Sequence, residues 1–198
     1  MLQIEKFIET MKQKRVLGWL LALGTIVLTT QCGGDPEDVN SEELITTVRI
    51  NFTDNQNANN TASALFQDMD GAGGNNPTIT GPTLSANTTY TATVEFLDES
   101  GETAEDITAE VEDEGAEHQV FYTVAGGLNA SVVYGDEDTN GNPVGLVAEV
   151  TTGDASTGTL TITLRHEPNK MGTGVPEGDI TNAGGETDVE VSFDVTIQ

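Results

Sequence analysis

Residues 134–145, YGDEDTNGNPVG, put oxygen donors at regular spacing: Asp136, Asp138 and Asn140 alternate, and Gly141 follows. Oxygen ligands at positions one, three and five, then a glycine that permits a sharp turn, form the first half of a calcium loop. The second half differs. Position twelve is Val147 rather than a bidentate glutamate, so backbone carbonyls and water would complete the shell, and Ca2+ would bind weakly. The same Asn140-Gly141 pair is also a favoured hairpin turn between two strands, with no metal required. Residues 66–77, FQDMDGAGGNNP, offer a weaker version of the pattern in Asp68 and Asp70.

His118 and His166 are the two histidines of the chain. His118 shares strand parity with Val120, Tyr122 and Val124, and His166 with Leu160, Ile162 and Leu164. One opens its strand and the other closes its strand, so an antiparallel arrangement brings both rings to one end of the fold. Glu117 and Glu167 adjoin them. Two imidazoles with a carboxylate are a donor set for zinc or copper; two hydrogen-bonded histidines at the rim of a core are the alternative. The sequence has no nucleophile elbow, phosphate loop, His-Glu-x-x-His or cysteine nucleophile of a known type. A non-enzymatic module is therefore expected, with a hydrolase lacking a recognisable motif as the alternative.

The elements that position these groups read as strands. In DVEVSFDVTI, Val189, Val191, Phe193, Val195 and Ile197 point one way and the polar residues the other, which is a strand with one wet face. TLTITLR repeats the pattern with Leu160, Ile162 and Leu164 inside, and TYTATVEF with Tyr90, Ala92, Val94 and Phe96. LITTVRINF places Leu44, Val48, Ile50 and Phe52 inside. Shorter candidates are 107–111, 118–125, 128–134 and 144–150, with 62–66 as a ninth. Eight to nine short alternating strands, punctuated by Gly, Asn and Asp, predict an all-β fold: an antiparallel β-sandwich of Ig-like or Greek-key type, forming one domain over residues 44–198. The long segment from Glu167 to Asp188, which contains Lys170, exceeds ordinary hairpin length and is a candidate partner contact.

The N-terminal segment adds location. Lys6, Lys12, Lys14 and Arg15 precede an uncharged apolar run, Val16 to Leu28, and the only cysteine, Cys32, follows shortly after. A basic region, an apolar stretch too short for the roughly 20 residues of a spanning helix, and a polar exit describe a signal peptide over residues 1–31. Residues 32–43, CGGDPEDVNSEE, read as an acidic flexible tether. With residues 1–31 removed, three Lys and Arg side chains face 31 Asp and Glu, a net charge of −28. That field repels nucleic-acid backbones and attracts cations and basic partners.

The Leu28-Thr29-Thr30-Gln31-Cys32 stretch resembles a bacterial lipoprotein signal. The resemblance implies a cut before Cys32, acylation of Cys32, and lipid anchorage to the outer membrane on its periplasmic or cell-surface face. Thr29 and Gln31 depart from the usual leucine and small residue at those positions. With the acidic tether and the LRHEPNK…GDITNAGGETD ending, the chain resembles small acidic bacterial lipoproteins with a β-sandwich body. The expected role is partner binding or structural support in the envelope, with an envelope protein or glycan as the partner.

Overall fold

The computed structural model describes residues 44–71 and 74–198. The signal segment 1–31, Cys32 and the tether 32–43 lie outside the described residues.

Two packed sheets form an all-β sandwich. The first runs β3-β2-β1-β5-β9-β8, made of Thr78–Thr80, Thr61–Gln67, Thr47–Asp54, Thr89–Asp98, Val147–Thr152 and Ala130–Tyr134, with β6 (Glu105–Asp106) extending β5. The second runs β4-β11-β10-β7, made of Thr83–Leu84, Glu186–Ile197, Ser156–His166 and His118–Ala125. Pairing is antiparallel except between β4 and β11, which run parallel. The chain crosses between sheets after β3, β4, β7 and β9, and through a helix after β6.

The alternation read from the sequence sets the core. Val48, Ile50 and Phe52 of β1, Tyr90 to Phe96 of β5, Leu160 to Leu164 of β10 and Val191 to Ile197 of β11 bury their inward-facing side chains in one cluster between the sheets. Leu44 is a correction: it precedes β1 and is 55% exposed.

The strand expected over 107–111 is a second correction. Ile107–Asp113 is a short helix, α1. Ile107 and Val111 are four apart, a spacing that a helix face and a strand face share. Docking decides between them: Thr108 Oγ1 donates to Phe96 O at 3.1 Å and accepts from Phe96 N at 2.9 Å. The helix is thereby tied to β5 with Ile107 and Val111 buried beneath it.

The long segment after β10 is a cover for the outer face of β7. Val175, Ile180 and Ala183, on and around two 3-10 turns, pack on Phe121 in a second apolar cluster. Both faces of β7 are therefore buried over His118, Gln119, Val120 and Phe121.

Candidate functional site

The β8–β9 connection folds back as a small hairpin. The Asp138 amide donates to Asn142 O at 2.7 Å, Gly141 N donates to Asp138 O at 3.0 Å, and Glu137 bridges to Pro143. Gly141 has φ +81 and Gly145 φ +89, values that favour glycine. At Gly145 a Cβ would also lie 2.7 Å from Val120 O, so this glycine lets the loop press against β7.

The carboxylates of Asp136 and Asp138 turn inward, while Glu137 is exposed. Asp136 accepts from Gly145 N at 2.7 Å and from Val147 N at 3.0 Å, one bond on each oxygen. Asp138 Oδ1 accepts from the amides of Asn140 (2.8 Å) and Asn142 (3.0 Å). Its Oδ2 accepts from Lys170 Nζ at 3.1 Å. Lys170 also donates to Pro143 O at 2.9 Å and to Gly115 O. An ammonium has three donors, and here each has an oxygen acceptor. The Lys170 side chain is 5% exposed and that of Asp138 1%. Lys170 is thus not the surface contact expected from the sequence; it is an internal cation that ties the covering segment to the β8–β9 loop.

Burial pushes the Lys170 pKa below its ordinary value, against the opposing pull of Asp138 and Asp136. Burial pushes the Asp138 carboxyl up, but the Asn142 amide, Lys170 and the Asn140 amide outweigh it and hold the group below the usual carboxylate range. Asn140 is exposed at the turn. Asp68 and Asp70 hold their own turn, accepting from Gly71 N and Asn75 N.

Beside this loop lies a cleft of about 450 Å3, between α1, β5 and the loop. Val94, Val144 and Leu146 give it apolar walls, and Glu112, Asp113, Asp136, Glu137 and Asp138 give it carboxylates. Among the described residues, the pair with Lys170 is the one salt bridge these five carboxylates make. Glu112 and Asp113 stand in the last turn of α1, which holds no basic residue. Carboxylates there have no basic neighbour in the helix to offset them.

The two histidines meet at one end of the second sheet, as their parity predicts. His118 and His166 are direct cross-strand partners. Their rings stack with centroids 4.7 Å apart and planes 16° apart. The ring nitrogens address different groups. His118 is 1% exposed; its Nδ1 lies 3.3 Å from Glu114 O and its Nε2 4.0 Å from Asp188 Oδ2. His166 Nε2 lies 3.9 Å from Glu117 Oε2. Donor atoms of Glu117, His166 and Glu167 fall within 4.8 Å of one another, and His118 is not among them. Burial, reinforced by His166, holds the His118 pKa below its ordinary value.

The aromatic network between these regions carries no signal in the sequence. Tyr134 donates to Val120 O at 2.9 Å and accepts from Gln119 Nε2 at 3.0 Å, and Tyr122 donates to Gly145 O at 2.6 Å. The two phenol rings pack edge to face.

No family model, curated protein or solved structure matches this chain. Among the described residues, no helix is long and apolar enough to cross a membrane.

Proposed function

We propose that the chain is a lipid-anchored, non-enzymatic module of the bacterial envelope, and that it binds a cationic group of a partner in the cleft beside α1. The anchoring part rests on the Cys32 signal. The binding part rests on one observation: an open cleft with five acidic residues in its lining, of which Glu112, Asp113 and Glu137 are exposed and make no salt bridge among the described residues. Apolar walls with a few charged groups are the usual makeup of a binding cleft. A field of one sign, focused by such walls, raises the local concentration of an oppositely charged ligand. Glu112 and Asp113 fit this reading, because they line the cleft from a helix end that holds no basic residue to pair with them.

The test uses a short arginine-rich peptide as the probe and an equally long glutamate-rich peptide as the control. The arginine peptide is expected to shift the amide resonances of Thr93, Thr108 and Thr139, which line the cleft. The Glu112→Gln/Asp113→Asn variant should weaken binding about tenfold, equivalent to about 1.4 kcal/mol. Shifts spread evenly over the acidic surface, unchanged in the variant, would show charge attraction without a site and would defeat the proposal.

A further inference from the structure

We propose a second site, separate in its chemistry from the cleft: Glu117, His166 and Glu167 bind a divalent transition metal of the zinc class. The argument starts from the end of the β7–β10 ladder, where His166 pairs with His118. One step further, the Glu167 amide donates to Glu117 O at 2.6 Å, so the two glutamates are held opposite each other just past the paired histidines. In a continued strand, Glu167 would alternate to the face opposite His166. It does not continue: φ at Glu167 is +49, a left-handed value shared by only one other non-glycine among the described residues, Asn87. The turn breaks the alternation, and donor atoms of all three side chains come within 4.8 Å of one another.

The separations suit a metal with short bonds. Zinc bonds to imidazole nitrogen and carboxylate oxygen of about 2.0–2.2 Å in a tetrahedron place neighbouring donors about 3.4 Å apart. His166 Nε2 and Glu117 Oε2 are 3.9 Å apart. The remaining gap, about half an ångström for this pair and at most about 1.4 Å for any pair of the three donors, closes by rotation of glutamate side chains at exposed positions. The imidazole is the less mobile donor, because His166 lies flat against the buried ring of His118. One nitrogen and two carboxylate oxygens favour zinc and its neighbours, while calcium takes oxygen ligands alone. Three protein ligands leave the fourth position to water. His118 is a positioning residue here: its nitrogens address Glu114 O and Asp188, and its ring fixes the plane of His166.

The experiment titrates Zn2+ into the full chain in detergent, in a Cys32→Ser background that removes the only thiol. Calorimetry is expected to show one zinc per chain, with calcium at the same concentration failing to compete. Co2+ as a spectroscopic probe should give the visible d–d bands of a tetrahedral site. Glu117→Gln/Glu167→Gln should weaken zinc at least about tenfold, and His166→Gln should do the same. Glu112→Gln/Asp113→Asn removes the same number of charges elsewhere and should leave zinc binding intact. The double glutamate variant alters only exposed side chains, so it reports on the site even if His166→Gln misfolds. Failure of the wild type to bind zinc, equal binding by every variant, or effective competition by calcium would each overturn the proposal. None of these outcomes bears on the acidic cleft, whose probe is an arginine-rich peptide and whose loss is read in the Glu112→Gln/Asp113→Asn variant, which keeps the zinc ligands.

Discussion

Lys170 Nζ lies 3.1 Å from Asp138 Oδ2, inside a loop whose carboxylate spacing reads as a calcium loop. The ammonium spans two regions far apart in sequence and meets two backbone carbonyls as well as the carboxylate. Removing one partner of a buried pair leaves a charge without compensation, at about 3–5 kcal/mol. Lys170→Met and Asp138→Asn should each destabilise the fold by that order. The double variant should cost clearly less than the sum, because it removes both charges together. Urea unfolding of the four proteins measures this, and additive losses would show that the two groups act independently.

Calcium at the same loop is a competition between a divalent ion and the bonds already made. Both oxygens of Asp136 and of Asp138 accept hydrogen bonds from backbone amides or from Lys170. Millimolar calcium and magnesium should therefore raise the melting temperature of the wild type equally, by screening a strongly negative surface. In Lys170→Met the oxygens of Asp138, Gly115 and Pro143 lose their cation, and a calcium-specific shift should emerge. A calcium-specific shift already present in the wild type, and lost in Asp138→Asn, would return the loop to the calcium reading.

The legible part of this chain was the part written in local period. β1, β5, β10 and β11 alternate over long enough runs that parity names their core residues, and parity also brings His118 to His166. Where both faces are covered, that code is incomplete. Gln119 and Phe121 look solvent-facing by alternation, yet they are buried by the segment after β10, whose Val175, Ile180 and Ala183 follow no period. The helix α1 was ambiguous because a four-residue spacing suits both periods, and a tertiary bond from Thr108 to Phe96 decides it. Lys170 is the clearest case of information absent from local sequence. Its partners lie 27 to 55 positions away, and only the folded chain brings them together. Glu167 likewise joins His166 through a left-handed backbone that its residue type does not announce.

Anchorage is testable apart from the folded domain. Cys32→Ala should leave the protein as an uncut precursor or release it from membranes, since two or more acyl chains give stable attachment where one gives marginal binding. Fractionation of cells and the mass of the recovered chain distinguish these results. A Cys32→Ala protein that is cut and still membrane-bound would remove the lipid anchor from the proposed function.

Tyr134 sets a limit on the alkaline side. Burial, partly relieved by Gln119 and reinforced by Asp136, raises its phenol from 10.0 to about 12. Its hydroxyl donates to Val120 O, a bond that requires the proton. Between these two values the folded chain holds a proton that the unfolded chain has released, so stability falls as pH rises. The contribution is complete below pH 10 and lost on approach to about 12. Tyr122 is raised well above its ordinary value for the same reason, burial, so the wild-type curve alone mixes more than one group. The Tyr134→Phe variant isolates one of them. It should be less stable at neutral pH by about 1 kcal/mol, the net worth of a hydrogen bond. Its stability should then decline less steeply above pH 10, so that the two curves converge. Parallel curves from pH 8 to 12 would mean that the Tyr134 proton is not retained on folding, and that its bond to Val120 does not resist base.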